Sequence, residues 1–205
     1  MPPRPVRRLR RAQLPADTVA LARYLIGKTL VRDGPEGRTS ARIVETEAYL
    51  VGDAACHAFR GPTPRNRSLF LARGHLYVYL IYGVSFMLNV SSETVGIGAG
   101  VLLRAAEPLD GLALMAARRG PTADTARPAE LARGPGRLAS AFGIDRTWDG
   151  LDLCAAGPLW FGSAVAATGP IGASVRIGLT VETERVLRFY ERGNPAVSGP
   201  KRLRV

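Results

Sequence analysis

The order of elements along the chain predicts an α+β fold in a single domain. Three observations carry this. The chain has 205 residues, enough for one core but short for two. Its composition, 46% hydrophobic and 22% charged, is that of an ordinary globular protein rather than a disordered one. Helical and strand-like patterns follow one another without a regular βαβ rhythm.

The elements follow in order. Residues 1–13, MPPRPVRRLRRAQ, are an arginine-rich arm with little to bury, expected to be mobile; a non-specific clamp on nucleic acid is its functional reading. The globular domain is assigned to 14–205. Asp17 to Leu25 reads as a helix, with Asp17 or Thr18 as cap, Val19, Leu21, Ala22 and Leu25 on one face, and Gly27 as terminator. Lys28 to Arg32 and Arg38 to Leu50 read as strands around the turn Asp33-Gly34-Pro35. Asp53 to Arg67 is polar and rich in Gly and Pro, which reads as a loop or a short helix plus loop. His75 to Val90 is a dense aromatic and β-branched run that predicts a hairpin turning near Gly83. Ala99 to Ala106 reads as a strand, Asp110 to Arg118 as a helix with Leu112, Met115 and Ala116 inward, Pro121 to Pro128 as a loop, and Gly136 to Phe142 as a short helix. A strand is expected within Leu151 to Leu159, and late strands at Ser174 to Leu179 and Leu187 to Tyr190.

The formal net charge is +11, a statement about partners rather than fold. Nucleic acid leads as partner, with an anionic membrane surface second. Lysine occurs only at Lys28 and Lys201, so the cations are almost all guanidinium forks, which suit phosphate. No apolar run of about 18 residues predicts a transmembrane helix, and the basic N-terminus is not followed by the apolar stretch of a secretory signal. Cys56 and Cys154 make neither a disulfide framework nor a zinc site, which fits a reducing cytoplasm.

Chemistry concentrates in three places. On a strand, Glu45, Glu47 and Tyr49 share one face, because side chains alternate. Two carboxylates at that spacing repel unless a cation or a water lies between them; they could be a general base with a metal ligand, a catalytic acid with a structural partner, or two solvent-facing glutamates. His57 lies in a loop with Arg60, Thr63, Arg65, Asn66 and Arg67, a candidate phosphate clamp or an exposed basic loop. Tyr77, Tyr79 and Tyr82 precede Gly83, and aromatics at a turn can stack on bases or wedge into a base step. Zinc, P-loop, dinucleotide and GxSxG patterns are absent, so an enzyme here is expected to do acid/base chemistry without a cofactor or metal.

Together the segments ALARYLIGKTLVR, ARIVETEAYL, AACHAFRGPTPRNR, GHLYVYLIYGVSFMLNVSS, GVLLRAAEPLDG, RGPGRLASAFGI, VRIGL and LRFYERGNPAVS resemble, in order, the alkyladenine (3-methyladenine) DNA glycosylase family. The resemblance implies a compact domain with a curved, mostly antiparallel sheet flanked by helices. It implies a monofunctional glycosylase that flips a damaged purine, of the 3-methyladenine, hypoxanthine or ethenoadenine type, and hydrolyses its glycosidic bond with water. On these motifs, Glu47 activates the water, Arg104 also holds it, and the backbone carbonyl of Ile177 is its third partner. Tyr49, His57 and Tyr79 wall the base pocket, Asn89 lies at its floor and disfavours the guanine amine, and Tyr82 fills the gap left in the duplex. Thr63, Arg65 and Arg67 meet the DNA backbone, and Glu45 supports the site. Val84 and Ser85 are smaller than the residues expected from mammalian relatives, which bears on substrate range. The partner is double-stranded DNA with a damaged purine, the protein a monomer of the bacterial cytoplasm. Two other readings stand beside this: a metal-dependent hydrolase using Glu45, Glu47 and His57, and a non-catalytic damaged-DNA-binding relative.

Overall fold

A computed structural model describes residues 5–123 and 126–201. Three α-helices and eight strands form one α+β unit: α1 (Thr18–Leu25), β1 (Thr29–Gly34), β2 (Gly37–Tyr49), β3 (Leu76–Ile81), β4 (Ser85–Ser91), β5 (Gly100–Asp110), α2 (Leu112–Arg119), α3 (Pro135–Ala141), β6 (Leu159–Gly162), β7 (Ile171–Ser174) and β8 (Arg188–Glu191). Every strand pairing is antiparallel. The path runs β3-β4-β5-β2-β1-β6, while β8 joins β2 and carries β7.

The 13-residue β2 is the spine, because β5 runs along one edge while β1 and β8 share the other. β1 pairs with residues up to Arg42, and β8 takes over at Glu45. At that changeover the β2–β5 register slips twice: Ile43 pairs with Ala106, Glu45 with Ala105 and Thr46 with Leu103. Val44 and Arg104 are therefore the extra residues of two facing bulges. Bulges of this kind bend a strand and re-aim side chains. Here they place Val44 and Ala105 together in a small second core, while Ile43, Ala48 and Leu103 stay in the main one.

The local signals read from the sequence hold for the first half of the chain. Asp17 caps α1 by accepting from the Ala20 amide at 2.7 Å, and Leu21, Ala22 and Leu25 are buried in the main core. Capping of this sort contributes about 1 kcal/mol. Gly27, with φ 83°, ends the helix and leads into β1.

Three expectations need correction. The arm was expected to bury little, but within it Leu9 is buried, its amide donates to Phe161 O at 2.8 Å, and the Ser163 amide donates to Arg7 O at 2.7 Å. Arg8 bridges to Gly162 and covers the Trp160 ring at 4.5 Å, so this stretch extends the sheet beside β6. Residues 1–4 lie outside the described residues. Within residues 151–158 the only strand pairing is an isolated bridge of Asp152 to His75, and turns and bends follow: Asp152 accepts from the Cys154 amide, Pro158 lacks an amide proton, and β6 begins only at Leu159. The strand placed at Ser174–Leu179 is instead Ile171–Ser174, because Arg176 turns inward to a buried ion pair and Gly178 takes a positive φ of 80°.

Candidate active site

Alternation along β2 puts Glu45, Glu47 and Tyr49 on one face, and both carboxylates are fully buried. The solvent-facing alternative is thereby excluded. The cation that such a pair requires is Arg104, aimed at them by its bulge: its Nε donates to Glu45 Oε1 at 2.9 Å and its NH1 lies 3.1 Å from Glu47 Oε1.

The two glutamates then diverge. Glu45 also accepts from Arg188 Nε at 2.7 Å and from the Ser198 amide at 2.6 Å. Burial pushes its carboxyl up, but the Arg104 and Arg188 guanidiniums more than offset this and hold it below the usual carboxylate range. Glu47 accepts from the Tyr49 hydroxyl at 2.9 Å and from the Ile177 amide at 2.8 Å. A carboxylate offers about four lone-pair sites, so these contacts with Arg104 leave room for one more donor, such as a water. Burial, and next the Glu47 charge, push the Tyr49 phenol far upward, so it remains protonated and a donor.

Tyr49 carries this network to a cavity of about 140 Å³ lined by Tyr49, His57, Tyr77, Tyr79, Asn89 and Leu179, among others. A cavity of about 150 Å³ is known to admit a benzene-sized molecule. The walls are aromatic: His57 and Tyr79 have ring centroids 4.3 Å apart, and Tyr77 stacks on Tyr79 at 5.6 Å. His57 Nδ1 meets the Tyr77 hydroxyl at 2.9 Å. Packing against these rings, with the Arg65 charge adding to it, lowers the His57 pKa and favours the neutral imidazole. Asn89, buried on β4, donates to Tyr77 O at 3.4 Å.

Tyr82 lies at the tip of the β3–β4 hairpin, 88% exposed, with Val84 beside it at 82%. Tyr82 (φ 52°) and Gly83 (φ 68°) both take positive φ, and the Val84 amide donates to Ile81 O across the turn. Positive φ is strained for tyrosine, so an aromatic is held out here at a conformational cost. Two grooves adjoin the cavity. One, next to the cavity wall, is lined by His57, Phe59, Arg60, Thr63 and Arg65; the other runs from Tyr82 and Val84 to Arg119, Arg133 and Arg137. Arg65 and Arg67 are exposed; Thr63 is exposed as well and donates its hydroxyl to the buried Asn66, whose amide also donates to His57 O and Gly61 O.

The structure thus gathers Glu47, Arg104, Ile177 and Tyr49 at one point, and Tyr49, His57, Tyr79 and Asn89 around one cavity. For Ile177 the contact seen is its amide on Glu47, whereas the resemblance assigns its carbonyl. Arginines 119, 133 and 137 were not singled out from sequence, nor were Asp53 and Arg176, because nothing local distinguishes them. The metal-hydrolase alternative loses its ligand set: Glu45 is committed to guanidiniums and His57 to a tyrosine. Among the described residues no group of three or more His, Cys, Asp or Glu could hold a metal ion. Nor is any helix among them long and apolar enough to cross a membrane.

Comparison with known proteins agrees with this geometry. Residues 12–195 match the family described as Methylpurine-DNA glycosylase. A protein of Mesorhizobium japonicum, provisionally named 3-methyladenine DNA glycosylase, is 65% identical over 94% of this chain and 91% of its own. One of Paraburkholderia phytofirmans with the same provisional name is 54% identical over 98% and 92%. The DNA-3-methyladenine glycosylase of Mus musculus is 45% identical over 88% of this chain and 58% of its own. The chain belongs to the methylpurine-DNA glycosylase family.

Proposed function

We propose that this member of the family starts base excision repair by flipping a damaged purine from duplex DNA and hydrolysing its N-glycosidic bond with a water activated by Glu47. One observation carries the reading: a fully buried carboxylate, kept in place by one arginine and two neutral donors, adjoins an aromatic cavity through Tyr49.

A purine cannot be reached inside the stack, and extruding it costs a few kcal/mol. Tyr82, exposed at the hairpin tip, fills the vacated space, and stacking on Tyr49, His57 and Tyr79 returns about 1–3 kcal/mol per base. Asn89, at the cavity, disfavours guanine's exocyclic amine. Thr63, Arg65 and Arg67 on one side and Arg119, Arg133 and Arg137 on the other hold backbone phosphates. In the chemical step the C1′–N9 bond breaks and its electron pair leaves with the base. Positive charge develops on the sugar, facing the Glu47 carboxylate. The water, held by Glu47, Arg104 and the Ile177 carbonyl, adds to C1′ and passes its proton to Glu47; a neutral lesion leaves as an anion and takes up one proton from solvent, to which Glu47 returns its own. The products are a free base and an abasic site. The substrate range covers 3-methyladenine, hypoxanthine and ethenoadenine, and the enzyme acts as a monomer in the cytoplasm.

The test is release of free base from duplexes carrying one hypoxanthine or ethenoadenine, in chelator. The reading expects strand breaks only after hot alkali and no adduct trapped by borohydride. Tight binding of lesion DNA without base release would favour the damage-binding alternative instead.

A further inference from the structure

Asp53 and Arg176 form an ion pair with both side chains fully buried. They lie in two loops, 123 residues apart in sequence. Arg176 donates from both terminal nitrogens to the two oxygens of Asp53, from NH2 at 3.1 Å. Its NH1 also donates to Ala48 O at 3.1 Å, and its guanidinium covers the Tyr49 ring at 4.6 Å. Ala48 lies between Glu47 and Tyr49. The residue after Arg176 is Ile177, whose amide donates to Glu47. Asp53 further accepts from the Ala55 amide at 3.0 Å, at the start of the loop that supplies Cys56 and His57 to the cavity.

Buried ion pairs are weak sources of stability, since desolvation cancels much of their attraction. What this pair adds is direction. It fastens the segment bearing the Ile177 amide to β2 at Ala48, and its guanidinium lies 4.6 Å from the centre of the ring whose hydroxyl reaches the other oxygen of Glu47. Resting on the function proposed above, we infer that the Asp53–Arg176 pair is a positioning latch for Glu47: it holds both neutral donors on the carboxylate and keeps it aimed. Hydrogen bonds to the charged form favour that form, and a general base must be unprotonated to act. The other groups around Glu47 are Arg104 from β5, Glu45 on its own strand and the Tyr79 phenol from β3.

The test is single-turnover excision of hypoxanthine across pH by the wild type, by Asp53→Asn/Arg176→Gln, which removes both charges together, and by Tyr49→Phe, which keeps the ring. Binding is measured separately in a Glu47→Gln background. The paired variant is expected to fold, to bind lesion DNA like its parent, and to excise roughly 10- to 100-fold more slowly, the scale of a small misplacement at a reacting centre. Its acidic limb moves to higher pH. Tyr49→Phe moves that limb in the same direction, and the combined variant loses less than the product of the separate losses. A wild-type rate and limb in the paired variant overturn the latch. So does a rate loss matched by lost binding or lost folded protein with the limb unmoved. If the paired variant does not fold, Tyr49→Phe decides alone, and an unmoved limb overturns the inference. A wild type that releases no base refutes the function itself, before any variant is compared.

Discussion

The floor of the site and its rim are built on opposite principles. The floor is two bulges and two buried carboxylates paired with the guanidiniums of Arg104 and Arg188. The rim is a strained hairpin tip with Tyr82 and Val84 in solvent, together with two arginine-lined grooves. The Glu45 part of the floor is tied into the core through its buried ion pairs, whereas the rim carries almost none of the core. Chemistry that needs a fixed carboxylate belongs to the first, and contact with a deformable duplex to the second.

Substitutions sharpen this contrast. Glu45→Ala takes the shared carboxylate from two buried guanidiniums and should cost about 3–5 kcal/mol in denaturant unfolding, with excision lost alongside. A fully stable Glu45→Ala protein would mean the floor is not a structural unit. Tyr82→Ala should leave unfolding within about 0.5 kcal/mol of the wild type. It should also cost about 1–3 kcal/mol of lesion-duplex affinity, with little effect on a single-stranded lesion. Equal losses on both substrates would remove the wedge role.

Salt probes the rim as a whole. Affinity for DNA should fall linearly on a log–log plot with added salt, and Arg65→Ala/Arg67→Ala should shallow the slope by about 0.9 for each phosphate contact removed. An unchanged slope would place the backbone contacts elsewhere.

Acid probes the floor, with the smallest effect. The folded-state pKa of Glu45 lies below its ordinary value, so its share of stability is present above the unfolded carboxylate range, about pH 4.3. That share is lost as pH falls through the depressed value. Stability should therefore drop on acidification below about pH 4, and less steeply in Glu45→Gln. Parallel curves would show that other carboxylates dominate.

Much of the fold was legible because its signals are local. The Asp17 cap, the apolar face of α1, the hairpin at Gly83 and the alternation of Glu45, Glu47 and Tyr49 each need only neighbouring residues. The site was legible in halves. Alternation placed two glutamates together and demanded a cation, but only the family resemblance pointed to Arg104, 59 residues from Glu45, and to Ile177, 130 from Glu47. The bulges that aim Arg104 have no signature in a run such as VLLRAAEP. In the sequence Asp53 reads as part of a loop and Arg176 as part of a strand, and neither stands out, since their burial arises only when distant segments meet. The arm misled for the same reason: Leu9 among arginines has no pattern until β6 offers an edge to pair with.

The most direct test is single-turnover excision by Glu47→Gln, with lesion-DNA binding measured in parallel. The substitution preserves shape, exchanges one acceptor oxygen for a donor, and cannot take a proton from water. The account predicts retained binding and a rate lower by roughly 10²–10⁴-fold, the range of general-base catalysis. Excision at the wild-type rate would contradict it and move the chemistry away from β2.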